Sequence, residues 1–227
     1  TKDISLIDGT MQEQSYYPGE IRMSLKKDGA DIHESLQFVD ARTALLTVTN
    51  PSKVPFTFTA DSISTRANVS RCKNRVTIGD FYGERVIIDF PQKVQVTDTD
   101  HNYLATVPRG VEQLTIAISL VEQDTEASVQ HVHTASLLAN PSAALQANDD
   151  RWNGYLKKVI RDDMPAEYNR VAAKSIVTLL SNWRAKRGAL YHDGIVPSCW
   201  LFRRLLGMGL LAFLSRYGFL LPRVGEG

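Results

Sequence analysis

Residues Trp152 to Ser198 read WNGYLKKVIRDDMPAEYNRVAAKSIVTLLSNWRAKRGALYHDGIVPS, and their spacing decides how the chain divides. Trp152, Tyr155, Leu156, Val159 and Ile160 recur at helical intervals. Met164-Pro165 interrupts that pattern, because proline brings no amide donor and its ring crowds the preceding turn. Asp162 or Asp163 is placed to cap the next helix. Tyr168, Ala172, Ile176, Leu179 and Trp183 step by four, four, three and four. That predicts one apolar face of a helix over 166–187. Arg184, Lys186 and Arg187 suit the negative end of its dipole, and Gly188 is a natural stop.

Working outward toward the N-terminus, Asn140-Pro141-Ser142 can open a helix, with proline in the first turn where its missing donor costs nothing. Before that point the chain reads as β. Leu114, Ile116, Ile118 and Leu120 alternate with other residues, as do Phe56 with Phe58 and Val94 with Val96. Val86-Ile87-Ile88 is a short apolar run of strand type. Turn signals separate these segments at Tyr17-Pro18-Gly19, Asp28-Gly29, Asn50-Pro51-Ser52, Tyr82-Gly83 and Pro108-Arg109-Gly110. Short strands at this spacing, with no helix–strand alternation, predict a β-sandwich.

The 227 residues, 43% hydrophobic and 22% charged, suit a soluble globular chain of one large or two small domains. Lys and Arg total 26 against 25 Asp and Glu, for a net charge of +1. Without a basic stripe there is no electrostatic case for a nucleic-acid partner. Cys72 and Cys199 form neither a metal spacing nor a disulfide framework and read as two unpaired thiols. The sequence opens on Thr1 with no initiator Met and no signal peptide, so a start lost upstream is expected. Asn68-Val69-Ser70 is the usable glycosylation sequon, since Pro51 and Pro141 block Asn50 and Asn140.

Motifs that carry chemistry are few. His131-Val132-His133 on a strand would put two imidazoles on one face, a spacing able to chelate, but no third ligand is near in sequence. Two ordinary histidines and no metal are expected. Asp149-Asp150 and Asp162-Asp163 are read as helix-flanking pairs that cap and solvate, in preference to calcium ligands. No phosphate-binding glycine loop, nucleophile elbow or zinc-protease motif is present, and no cofactor is expected. The stretch from Ala189 to Ser198 mixes aromatic, His and Asp residues in a loop behind a long helix.

The run Arg151-Trp152, Tyr155-Leu156-Lys157-Lys158, Glu167-Tyr168-Asn169-Arg170-Val171-Ala172-Ala173-Lys174, Asn182-Trp183-Arg184 and Gly188-Ala189 resembles glycoside hydrolase family 63. That family includes processing α-glucosidase I and bacterial α-glucosidases. The resemblance implies a large β-sandwich ahead of an (α/α)6 barrel, and a carbohydrate partner, an α-glucoside or oligosaccharide. It covers the helical block well and the β region only by pattern, with Tyr16-Tyr17-Pro18-Gly19-Glu20 as an early landmark. It further implies a loop after "VPS" of the form F-W-A-W-D-S-W. The Asp of that loop serves as general acid, and a distant carboxylate serves as base for inversion. Inversion needs the two carboxyls roughly 6.5–9.5 Å apart, to admit water between base and sugar.

After Ser198 this chain instead reads CWLFRRLLGMGLLAFLSRYGFLLPRVGEG, with no Asp and Glu226 as its one acid. Leu205 to Leu214 is apolar but only ten residues long, against about 20 needed to span a bilayer, so no membrane span is expected. A membrane-surface helix is conceivable. A shifted frame explains more. Read one base later, Met208-Gly209 becomes a forced Trp. Leu205-Leu206, Leu206-Gly207 and Gly207-Met208 permit Phe, Trp and Ala. Gly209-Leu210, Leu210-Leu211 and Leu211-Ala212 permit Asp, Ser and Trp. The hidden string is F-W-A-W-D-S-W, in register after "VPS".

The expected architecture is a β-sandwich over 1–140, a linker helix and the first helix of an (α/α)6 domain over 141–198, and an aberrant, frame-shifted tail over 199–227. The expected function is that of an inverting α-glucoside hydrolase fragment, inactive as it stands for want of acid and base. No catalytic residue is assigned. Trp183, His192 and Asp193 are the candidate sugar-lining residues, although core packing for Trp183 and an ordinary turn for the other two compete. The alternatives are a non-catalytic carbohydrate-binding or interaction sandwich and a tail-anchored peripheral protein.

Overall fold

A computed structural model describes residues 7–40, 42–59, 68–79, 85–99, 102–121, 127–181, 183–184 and 194–195. The chain forms two compact units, Thr1–Asp149 and Asp150–Gly227.

The first unit contains strands β1 (Thr10–Tyr17), β2 (Glu20–Lys27), β3 (Ala30–Phe38), β4 (Thr43–Thr49), β5 (Phe56–Phe58), β6 (Asn68–Cys72), β7 (Arg75–Gly79), β8 (Arg85–Asp89), β9 (Gln95–Thr99), β10 (Asn102–Val107) and β11 (Gln113–Val121). An eight-stranded sheet has the order β1-β2-β3-β4-β11-β8-β7-β6, and a three-stranded sheet has the order β5-β10-β9. The described ladders of both sheets are antiparallel. The expected sandwich is therefore present.

Turn chemistry explains the hairpins. Asp28 and Gly29 both take positive φ (50° and 81°), the pair of conformations that a two-residue turn between twisted strands needs. Space around Gly29 is open, so backbone conformation and not crowding selects glycine there. Asn50 closes the β4–β5 connection. Its Nδ2 donates to the carbonyls of Val54 (2.8 Å) and Val111 (3.1 Å), and its own amide donates to the Glu112 carbonyl (2.7 Å). Asn74 repeats the device at the β6–β7 turn, donating to Pro91 O and Val94 O at 2.8 Å each.

The core lies between the two sheets. Leu25, Ile32, Leu46, Val48, Leu114 and Ile116 point from the large sheet toward Phe56, Phe58, Tyr103 and Val107. Phe56 and Phe58 meet edge to face at 5.4 Å, and Phe58, Phe90 and Tyr103 continue the aromatic chain at 5.8 and 6.0 Å. Asp8 ties the sheets together at one end. Its Oδ1 accepts from the Thr57 amide at 2.8 Å, its Oδ2 pairs with Lys27 Nζ at 2.9 Å, and Ile7 bridges to Phe58.

The other face of the large sheet is not simply solvated. Thr43, Leu45 and Ala117 are fully buried there, and Ser119 nearly so. Helix α1 (Ala127–Ala139) lies on β11 at this face. Gln130 donates from Nε2 to Thr43 Oγ1 at 3.1 Å. This helix corrects the expectation that the chain is β up to residue 140. It also moves His131 and His133 from a strand to a helix, where residues two apart point in different directions. His131 instead pairs with Arg75, and His133 Nε2 with Asp40 Oδ2 at 2.7 Å. Helix α2 (Pro141–Val159) begins where Asn140-Pro141-Ser142 predicted, with Asn140 Oδ1 accepting from the Ala143 amide. Asp149 and Asp150 lie inside α2, exposed, and do not flank it. Asn148, 2% exposed, donates from Nδ2 to Gln37 Oε1 (2.9 Å) and Gly19 O (3.3 Å) on β3 and the β1–β2 turn.

In the second unit, the rest of α2 packs on α3 (Ala166–Ser181). Val159, Ala172 and Ile176 are buried together, with Tyr155, Leu156 and Leu180 against them. The expected apolar face therefore holds at Ala172, Ile176 and Leu179 but not at its ends. Tyr168 is 58% exposed in the first turn of α3, and the helix stops at Ser181 before Trp183. Pro165, not an aspartate, opens α3, since its carbonyl accepts the Asn169 amide at 3.2 Å. Asp163 pairs with Arg161 instead, Oδ1 to Nε at 2.8 Å and Oδ2 to Nη2 at 2.5 Å. Strands β12 (Trp183–Arg184) and β13 (Gly194–Ile195) form a two-residue antiparallel ladder, Trp183 opposite Ile195 and Arg184 opposite Gly194.

Candidate functional site

Of the three residues expected to line a sugar site, Trp183 falls in β12, where its backbone pairs with Ile195. His192 and Asp193 lie outside the described residues, as do Tyr82-Gly83, Lys186, Arg187, Gly188, Cys199 and the whole of 199–227. The β12–β13 ladder does return the chain to Trp183 directly after Asp193 in sequence. Among the described residues, no three His, Cys, Asp or Glu side chains gather to hold a metal.

Among the described residues, polar groups of the first unit form structural pairs and line an open cleft. Glu20 accepts from Ser35 Oγ at 2.6 Å and pairs with Arg22 at 2.7 Å. Burial raises the affinity of the Glu20 carboxyl for its proton, but Arg22 and Ser35 together outweigh that and leave it below the ordinary carboxylate value. The Arg22 guanidinium, 4.5 Å over the Tyr17 ring, is held above its own usual value, chiefly by the Glu20 hydrogen bond. Asp8 follows the same pattern. Burial pushes it up, and the bonds from Thr57 and Lys27 bring it below normal. The Tyr103 phenol is pushed up to about 12 by burial among aromatic rings. These shifts result from packing and pairing.

The cleft, of about 420 Å³, opens on the outer face of the large sheet where α1 gives way to α2. Thr47 and Thr115 form its floor, as register partners on β4 and β11 with hydroxyls 3.5 Å apart. Lys93 and Gln113 stand at one side, Leu138 and Leu145 at the other. Lys93 Nζ donates to the Gln113 carbonyl at 2.6 Å. Among the described residues, Lys93 is the one charged group that lines it. None of these residues was singled out from sequence. The signal was the switch along β4 from Leu45 to Thr47 and Thr49, a face that turns from apolar to hydroxylated.

No family model matches the chain. Solved structures share its fold, among them two GH92 glycoside hydrolases. An inverting mannosidase of family GH92 from Bacteroides thetaiotaomicron VPI-5482 superposes with a TM-score of 0.57 at 16% identity, over 81% of this chain and 30% of its own. The GH92 glycosyl hydrolase ccman5 superposes with a TM-score of 0.59 at 14% identity, over 92% of this chain and 36% of its own. The chain thus spans about a third of the length of these neighbours. At such identities the likeness is one of fold, a β-rich domain followed by helices. Among the described residues no helix is long and apolar enough to cross a membrane.

Proposed function

We propose that this chain is the sandwich and first helices of an inverting glycoside hydrolase that acts on an α-glucoside or related oligosaccharide. The observation that carries the proposal is a coincidence of two independent signals. The block from Trp152 to Ala189 resembles family 63 in sequence, and 81–92% of the chain superposes on about a third of two GH92 glycoside hydrolases. The finer family, the α-glucoside and the (α/α)6 barrel rest on the sequence resemblance alone. Catalysis by inversion needs two carboxyls flanking one water, with one donating a proton to the leaving oxygen while the other takes a proton from that water. Between Cys199 and Gly227 the Asp of the expected loop does not occur, and Glu226 is the single acid. On this reading residues 1–227 carry no working acid, the acid lies in a shifted frame, and Trp183, His192 and Asp193 border the sugar position in the restored protein.

The coding DNA of codons 205–212, read in all three frames and continued past residue 227, tests the frame. Synonymous codons incompatible with F-W-A-W-D-S-W would end that idea. The frame-restored product should release β-glucose first from an α-glucoside, as followed by proton NMR. Release of α-glucose, or cleavage of α-mannosides with none of α-glucosides, overturns the family 63 assignment.

A further inference from the structure

We propose that the outer-face cleft of the first unit binds a single saccharide unit bearing a carboxylate. This goes beyond the glycosidase proposal and does not rest on it. The cleft has a floor of the right chemistry. Along the outer face of β4 and β11, Leu45 and Ala117 are completely covered, whereas Thr47 and Thr115 one row further are only half-buried. At this row the helical cover stops short of the sheet and leaves two hydroxyls side by side, each able to donate and accept. Ser142, in the first turn of α2, adds a third hydroxyl, and Leu145 offers an apolar surface for the C–H face of a ring. The volume of about 420 Å³ falls within the range of about 300–1,000 Å³ found for small-molecule sites.

Charge selects the class. Among the described lining residues Lys93 is cationic and no carboxylate opposes it. Its position is fixed from behind. Lys93 sits in the turn Pro91–Val94, whose two end carbonyls are both held by Asn74 Nδ2 at 2.8 Å. The Lys93 ammonium now rests on the Gln113 carbonyl, a neutral acceptor that a ligand carboxylate can join or displace.

The test is a titration of the whole chain with glucuronate, glucose and acetate at low salt, followed by calorimetry or by amide shifts of Thr47, Thr115 and Ser142. Glucuronate should bind about tenfold tighter than glucose, the worth of one charge-assisted hydrogen bond. Acetate should not compete at equal concentration, since it lacks the hydroxyls. Lys93→Ala should reduce glucuronate to the affinity of glucose, and Thr115→Val should weaken both sugars. Both variants lie at or near the surface, and an unchanged melting curve confirms that they fold. Equal affinity for glucuronate and glucose, displacement by acetate, or no saturable binding of either sugar overturns the proposal.

Discussion

Asn169 holds the backbone of Arg161 by both of its amide atoms. Its Oδ1 accepts from the Arg161 amide at 3.0 Å, and its Nδ2 donates to the Arg161 carbonyl at 2.8 Å. The clamp fixes the turn between α2 and α3, so that Val159 meets Ala172 and Ile176. Asn169→Ala should therefore loosen the second unit, at a cost of about 2 kcal/mol for the lost bonds to the backbone of Arg161 and Met164. Hydrogen exchange at Arg161 and around Ile176 should accelerate while the β11 amides stay protected. Uniform acceleration in both units would contradict this.

Asp8 gives a pH dependence. Its carboxyl lies below the ordinary value of 3.8 in the folded chain, so the unfolded chain binds the proton more tightly. Its stabilisation is then complete above the unfolded value and is lost as pH falls through the lower folded one. Urea midpoints measured from pH 6 down to pH 3 should decline less steeply in Asp8→Asn than in the parent. Parallel curves would show that the inter-sheet tie contributes nothing.

Tyr103 is 1% exposed, and its hydroxyl meets no hydrogen-bond partner among the described residues. A buried hydroxyl without a partner costs free energy that a phenyl ring of the same shape does not. Tyr103→Phe should leave the melting temperature unchanged or raise it, by up to about 1 kcal/mol in stability. Since burial pushes the phenol up to about 12, one tyrosine should also resist ionisation at pH 11 in the parent's ultraviolet titration.

Asn50 is 1% exposed and donates to two carbonyls from different loops. Asn50→Ala should cost about 2 kcal/mol, because two carbonyls lose the donor that joins their loops. A smaller loss on denaturant unfolding would mean that water replaces the amide.

Much of this fold was legible because its signals are local. Phe56 with Phe58, Leu114 with Ile116, and the Asp28-Gly29 turn declare themselves within a few residues. The opening of α2 at Pro141 did so too. Helix α1 was not legible. Val129 and Val132 are exposed on it, while Gln130 and Thr134 are its buried side chains, so its apolar residues do not mark its packed face. The ends of α3 failed for a related reason. Tyr168 continues the right spacing but is exposed in the first turn, and the helix ends at Ser181, before Trp183. The cleft escaped because Thr47 and Lys93 are ordinary residues until β4, β11 and the Asn74-held turn bring them together.

The bond from Asn148 to Gln37 changes where this protein can be cut. The compositional seam near residue 140 invites a sandwich of 1–140, yet that piece would lose Asn148 and leave Gln37 and the Gly19 carbonyl without the amide that reaches them. A recombinant domain meant to keep the sheet intact has to carry α2 at least through Asp149, where the first compact unit ends. What composition marks as a linker thus belongs, in its first half, to the scaffold before it.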